Sequence, residues 1–328
     1  MRIAVFIVLS GLSVRLHSQG CCSGGSGSPI AGGASQGVLQ ERQLEFAINY
    51  QYLSTDKFLV GDKDTVSLFD NLNSNYLYGR IAYGVTEKLT MSIESGYFIN
   101  KTQYGPERND TVKSGGFADL ILFPRYNLFT RNTEKTKTEF TIGMGLKIPI
   151  GKFKDSTVVY RDPRTNAKYY TTSPPTVQPT SGSNDFIFYG FFFRGYTEKK
   201  FRAFTNLLYI RKGWNPLGQK FGDYFSLGLF ASQTVFKEIF VTLQVRAELV
   251  TKMKYDKNVD MLALYNIDVY STGSRKVFVA PQISYSINRW IIFVMYETPL
   301  YQYLNGTQIG SQHQLTTGLS YRFFTTSN

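Results

Sequence analysis

The chain has 328 residues, a formal net charge of +12 and an aromatic content of 16%, while charged residues account for only 18%. No apolar run after the N-terminus reaches the roughly 18 residues that a membrane helix needs, and the basic residues do not form the clusters that mark nucleic-acid binding. A basic excess spread singly over loops instead biases a surface or a pore toward anions.

The first eighteen residues are typical of a secretory signal peptide, with an apolar stretch at Ile3–Val14. A buried first helix is the alternative interpretation. Residues 19–40 are rich in Gly and Ser and are predicted to form a flexible leader. Near the start of the leader lie Cys21 and Cys22, which suit a lipid-attachment site, a weak metal or thiol site, or an exposed tail. The sequence contains no metal-ligand cluster, phosphate loop or redox pair, so no cofactor and no metal site are predicted.

From residue 43 onward, apolar and polar residues alternate in short segments. In the last segment Leu315 and Leu319 fall on one face, and Thr316 and Gly318 fall on the other. A two-residue period is typical of a β-strand with two unlike faces. The period predicts about twelve strands, in Leu44–Tyr52, Tyr76–Val85, Leu89–Ile99, Asp119–Asn127, Phe140–Ile148, Asp185–Tyr196, Phe201–Ile210, Phe225–Ala231, Ile239–Leu249, Val277–Ile287 and twice within Trp290–Phe324.

Short and long connections alternate along the chain. Short turns are expected at 86–88, 197–200, 234–238 and 288–289, with a slightly longer one at 130–138. Long polar loops are expected near 53–73, 101–116, 150–184, 211–222, 252–274 and 302–313. Outer-membrane barrels sort their connections in this way, with short turns at the periplasmic end and long loops outside. A soluble sandwich has no reason to sort loop length by end.

Ionisable side chains occupy the middle of the less aromatic strand faces. Ten are predicted to line a lumen: Glu45, Arg80, Glu94, Asp119, Arg125, Lys147, Arg246, Glu248, Glu297 and Arg322. In a sealed apolar core each would cost several kcal/mol unless it were paired. We therefore predict an all-β fold, a single transmembrane antiparallel barrel over residues 41–328 in a bacterial outer membrane, with both termini periplasmic.

Four stretches resemble one protein family. They are GGFADL at 115–120, GLKIPIG at 145–151, QPTSGS at 178–183 and LYQYLNGTQ at 300–308, the last followed by LTTGLSYRF. In these stretches the chain is similar to outer-membrane barrels of the phenol-degradation meta-pathway type, a family of transporters. The resemblance covers residues 40–324 and implies a porin-like barrel that passes small aromatic or amphipathic molecules. The long 150–184 segment and the residues after Phe324 depart from the family pattern.

Two functions are compatible with these features. The first is passive passage of a small solute, with selectivity set by the lumen charges and by the outer loops, chiefly 150–184, folding over the mouth. The alternative is a non-conducting barrel that serves as a structural or accessory subunit of an envelope assembly. Expected partners are outer-membrane lipid, the barrel-assembly machinery acting on the C-terminal strand, and a small solute or an envelope protein, but no nucleic acid.

Particular pairings are also expected within the lumen. Two ion pairs are predicted, Asp119 with Arg125 and Arg246 with Glu248. These pairs either line an open pore or hold together the strands of a closed barrel. Glu297 lies two residues before Pro299, and a Pro belongs at a strand end or bulge. We therefore expect Glu297 to be a structural rim residue or a substrate contact.

Aromatic girdles are predicted at the two membrane interfaces. Their members are Tyr50, Tyr52, Tyr97, Tyr285, Trp290 and Tyr321. No catalytic residue is predicted. Some twelve-stranded barrels are lipases with a Ser–His pair, but His313 and the nearby Ser311 have no evident acid to orient them.

Overall fold

The computed structural model describes residues 37–105, 111–261, 265 and 267–325. Its barrel strands, labelled here in chain order, are β1 Gln43–Thr55, β2 Asn71–Gly84, β3 Leu89–Tyr104, β4 Val112–Leu122 with Arg125–Asn132, β5 Thr136–Pro149, β6 Asp185–Tyr196, β7 Phe201–Arg211, β8 Tyr224–Thr234, β9 Ile239–Val250, β10 Ser274–Ile287, β11 Trp290–Ile309 and β12 His313–Phe324. The predicted signal peptide, most of the leader, Cys21 and Cys22 lie outside the described residues. Among those residues, no helix is long and apolar enough to cross a bilayer.

The barrel closes where its first and last strands meet. β1 pairs with β12 from Gln43 opposite Phe324 to Ser54 opposite His313, and the other strands pair antiparallel with their neighbours in sequence. Closure leaves no open edge in the barrel wall, so the backbone polar groups of the wall are satisfied by neighbouring strands. The predicted twelve-stranded antiparallel barrel is confirmed.

The barrel has an apolar outside and a polar inside. Large apolar side chains point outward and are half or more exposed, including Ile48, Ile81, Ile93, Met144, Leu229 and Ile283. The alternate positions point inward, where polar residues such as Glu45, Thr90, Glu94 and Thr141 are buried. This polarity suits lipid outside and a hydrated lumen inside. The chain is therefore a membrane-spanning barrel of the bacterial outer-membrane type, as predicted.

The predicted strand Asp119–Asn127 is interrupted within β4. Pro124 has no N–H to give to the sheet ladder, and Phe123 and Pro124 separate the two segments of β4. Phe123 stays attached to β3, because its N–H donates to the Ser92 carbonyl at 2.9 Å and its own carbonyl accepts from Ser92 at 3.2 Å. The wall is therefore continuous at the interruption.

Short turns and long loops fall at opposite ends of the barrel. The end with the short turns and both barrel termini is called the inner mouth, and the end with the long loops is called the outer mouth. Loop 150–184 carries a hairpin of Ser156–Arg161 and Lys168–Thr172. Other short loop strands are Phe58–Gly61, Lys63–Asp64, Gln219–Lys220 and Lys254–Tyr255.

The predicted outer loop 302–313 is largely strand. β11 continues to Ile309 and pairs with Phe58–Gly61 above the barrel rim. The register shifts between Leu304 and Thr307, where Gly306 has a φ of 68°. This bulge breaks the two-residue alternation of apolar and polar side chains. The sequence pattern therefore predicted a loop where β11 continues.

Candidate functional site: a lumen with two chambers

A buried carboxylate joins the strands at the barrel closure. Glu45 of β1 lies opposite Arg322 of β12, and Arg80 of β2 is its diagonal neighbour. Arg80 Nη2 donates to Glu45 Oε1 at 2.6 Å, and Arg322 Nε donates to Glu45 Oε2. Glu45 is 1% exposed. This seam cluster (Glu45, Arg80, Arg322) therefore places two guanidinium groups on one buried carboxylate.

A second cluster is centred on Arg246 of β9. Its Nη1 lies 2.7 Å from Glu248 Oε2, and its Nη2 lies 2.7 Å from Glu297 Oε1 on β11. The Arg246–Glu248 pair is thus present. The buried Glu297 completes the cluster rather than lying at a rim. Pro299 falls beside the register shift between β10 and β11, where a missing backbone donor is tolerated.

The third cluster replaces a predicted pair. Lys147 Nζ lies 2.6 Å from Asp119 Oδ2 and 3.3 Å from Asp185 Oδ2, and Lys212 Nζ lies 2.9 Å from Asp185 Oδ2. The predicted Asp119–Arg125 pair was wrong. Arg125 lies six positions after Asp119 along extended chain, which is about 20 Å along the barrel. Asp185 and Lys212 were not selected from the sequence because they lie at a strand start and in a loop.

Side chains of β2 and β3 meet in the middle of the lumen. Tyr78 donates its hydroxyl proton to Glu94 Oε2, and Ser92 Oγ donates to Glu94 Oε1 at 2.8 Å. Farther toward the inner mouth, Arg125 Nη1 donates to the Gly37 carbonyl at 3.0 Å. We call the Tyr78–Glu94 contact the constriction.

An apolar wall lies along one side of the lumen. The inward side chains of β6 to β8 and their neighbours form one buried cluster of Ile121, Phe123, Ile187, Tyr189, Phe191, Phe204, Leu208, Ile210, Tyr224 and Val250. The sequence did not reveal this wall, because β6 carries aromatic residues on both faces. The lumen is therefore amphipathic, with charged clusters and an apolar wall.

Loop 150–184 covers the outer mouth. Thr180 donates its hydroxyl proton to Asp119 Oδ1, and Lys101 Nζ donates to the Gln178 carbonyl at 3.0 Å. Under the loop lies a cavity of about 80 Å³, the outer chamber, lined in part by Lys101, Asp119, Lys147 and Lys212.

A larger cavity of about 470 Å³, the inner chamber, opens at the inner mouth. The segment Gly37–Gln40 lines it just before β1 begins. Leu39 N donates to Thr90 Oγ1 at 2.8 Å. A β-carbon at Gly84 would lie 1.8 Å from the Gln40 carbonyl oxygen, so only glycine leaves space for the segment there. The end of the leader thus occupies part of the inner chamber.

Known proteins resemble this chain in fold rather than in sequence. No family model matches it, and no curated protein matches it. Among solved structures, the COG4313 outer membrane channel from Pseudomonas putida F1 has a TM-score of 0.66 at 11% identity, over 89% of this chain and 99% of that chain. The structural neighbours are outer-membrane β-barrel channels.

Two other structures are more distant. A Pseudomonas aeruginosa FadL homologue has a TM-score of 0.42 at 8% identity, over 94% of this chain and 99% of that chain. The KdgM porin has a TM-score of 0.42 at 9% identity, over 84% of this chain and 99% of that chain. Neither score supports an argument about this chain. None of the three names mentions phenol degradation, so that part of the resemblance stays a prediction.

The predicted girdle residues lie on the barrel surface or at its rim. Trp290 and Tyr321 are adjacent near the inner mouth, with ring centroids 4.4 Å apart. Tyr97 is 43% and Tyr285 is 37% exposed. Tyr50 and Tyr52 are half-buried in the outer half of β1. Their place at the lipid interface stays a prediction.

The Ser311–His313 hypothesis gains no support from the contacts of the two residues. His313 Nδ1 lies 2.6 Å from the Tyr296 hydroxyl. Ser311 is 2% exposed, and its Oγ accepts from Lys276 Nζ at 3.0 Å. Among the described residues, no group of three or more His, Cys, Asp or Glu side chains is arranged to hold a metal ion.

Proposed function

We propose that this chain is an outer-membrane channel for the passive passage of small amphipathic solutes, with a preference for anions. The observation that carries the proposal is the pair of chambers, one at each end of a lumen with charged and apolar sides. Amphipathic solutes are favoured by such a lining, because a ring or alkyl group packs on the apolar wall while a polar group meets the charged clusters.

Charge in both chambers supports the preference for anions. The outer chamber is lined by three lysines and one aspartate. The inner chamber is lined by four cationic side chains, Arg80, Lys137, Arg202 and Arg322, and by two carboxylates, Glu45 and Glu139. These cations produce a positive electrostatic potential in the chambers. Chamber walls of low dielectric constant focus this potential and raise the local concentration of anions.

A path between the chambers follows β2 and β3. A cavity of about 20 Å³ shares Asp119 and Lys147 with the outer chamber and extends to Tyr78. The next inward residue of β2 is Arg80, which lines the inner chamber. The constriction at Tyr78 and Glu94 therefore separates the two chambers and would control passage.

The alternative function is a non-conducting barrel that serves as an accessory subunit of an envelope assembly. The side chains that fill the middle of the lumen favour it, together with the Gly37–Gln40 segment in the inner chamber. Capture of a defined envelope protein by the intact barrel, together with absence of solute flux, would support this alternative.

Vesicle swelling separates the two functions. Vesicles containing the mature chain are placed in isosmotic potassium benzenesulfonate, with valinomycin to carry K⁺, so that swelling reports anion passage. We expect faster swelling than in protein-free vesicles. Equal swelling in both, with the barrel shown to be folded, would overturn the channel proposal.

A further inference from the structure

Among the described residues, one cation of the inner chamber has no carboxylate beside it. Arg80 and Arg322 are held by Glu45, and Lys137 Nζ lies 2.6 Å from Glu139 Oε1. Arg202 of β7 enters no ion pair in the described part of the chain. Its guanidinium carbon lies instead 4.6 Å from the centroid of the Phe240 ring.

The position of Arg202 directs its charge into the chamber. It is the second residue of β7, close to the inner mouth, on the same strand face as the inward Phe204 and Asn206. The contact with the Phe240 ring favours this place for the guanidinium. The planar guanidinium presents parallel N–H donors that match the two oxygens of a carboxylate.

Aromatic rings line the same chamber. Phe191, Phe193, Phe240 and Phe293 all contribute to its walls. Phe191 continues the apolar wall, since its ring centroid lies 6.0 Å from that of Phe204. A flat aromatic ring gains offset-stacked or edge-to-face contacts on such a lining. The chamber, at about 470 Å³, falls within the range of small-molecule sites, roughly 300–1,000 Å³.

We propose that Arg202 and the phenylalanines around it form a binding site for aromatic monocarboxylates in the inner chamber. The carboxylate takes both N–H donors on one edge of the Arg202 guanidinium, and the ring packs against the aromatic lining. Among the described residues Arg202 is the one cation of this chamber that enters no ion pair, so the site offers one uncompensated positive charge and favours a ligand with one carboxylate. The proposal deepens the proposed channel function by naming a solute class, although binding itself does not require flux.

Saturation-transfer NMR on the folded full mature chain in detergent tests the site, with empty micelles as the blank. The probes are benzoate, its neutral analogue benzamide, and acetate, which has no ring. We expect saturable transfer to benzoate, and at least fivefold weaker binding of both benzamide and acetate. Arg202→Gln should weaken benzoate binding at least fivefold. The matched variant Arg289→Gln, in the exposed turn before β11, should leave it unchanged.

The outcomes separate the site from the channel. Benzoate binding that Arg202→Gln leaves intact in a folded barrel would overturn the site, as would equal binding of benzamide. Benzenesulfonate flux with no benzoate binding would refute the proposed binding site and support the channel function. Benzoate binding without flux would support the binding site and refute the channel function.

Discussion

Replacing Glu45 by Gln should weaken the barrel at its closure. The substitution keeps the size of the side chain but removes the charge that Arg80 and Arg322 share. Arg80 and Arg322 each donate to a different oxygen of Glu45, and in Gln one of those oxygens becomes an amide nitrogen, a donor that faces a guanidinium donor. At least one arginine would lose its partner.

The structure sets the expected size of the loss. Removing one partner of a buried ion pair costs about 3–5 kcal/mol. The side chains of Arg80 and Arg322 are 10% and 23% exposed to solvent, against 2% for Glu45. Water in the inner chamber can therefore hydrate an unpaired guanidinium and offset part of the lost stability. We therefore expect a loss near the lower limit, about 3 kcal/mol, or roughly a 100-fold change in the unfolding equilibrium.

Urea unfolding in phosphatidylcholine vesicles, followed by tryptophan fluorescence, measures this loss. Trp290 is a suitable reporter because it pairs with Tyr321, the residue before Arg322. Glu41→Gln is the matched control, since the one ion pair of Glu41 within the described residues is an exposed contact with Arg42, at 3.7 Å. Exposed pairs contribute about 0–1 kcal/mol. The reasoning would be refuted if Glu45→Gln were no more destabilising than Glu41→Gln.

Three further predictions concern passage and the outer loop. Tyr78→Ala should raise single-channel conductance at least twofold, because it removes one side of the constriction. Unchanged conductance would show that the main barrier to ions lies elsewhere in the lumen. Deleting residues 19–40 should raise conductance by emptying part of the inner chamber, and equal traces would show that this segment does not obstruct ions. Thr180→Val removes the hydroxyl that bonds to Asp119, so trypsin should cleave loop 150–184 faster in intact vesicles. Thr165→Val, at the exposed hairpin tip, should leave the cleavage rate unchanged, and equal rates for the two variants would contradict the anchoring role.

Alternation along the strands was sufficient to predict the barrel. Glu45, Glu94 and Arg246 could be assigned to the lumen because each falls on the face opposite the large apolar residues of its strand. Closure then followed from the even strand count and from the sorting of the loops. These features are local, since they depend on the two-residue period and on turn length.

Pairings within the lumen could not be predicted in the same way. The partner of Asp119 is Lys147, on the adjacent strand but 28 positions away in the chain, and strand register decides such contacts. The apolar wall was missed because Phe186 and Phe188 point outward while Ile187 and Tyr189 point inward, so β6 shows no contrast between its faces. Lys212 lies just beyond the end of β7, where the two-residue alternation of a strand no longer indicates which way a side chain points. Arg202 was missed for a similar reason, since the facing of β7 was unclear.

Single-channel recording of the chain without its predicted signal peptide, in a planar bilayer, tests the central claim most directly. In a KCl gradient, the account predicts discrete ohmic steps and a reversal potential on the anion-selective side. The same recording on the variant lacking residues 19–40 should give steps at least as large. Absence of conductance steps for both folded barrels would contradict the channel function and favour the accessory-subunit function.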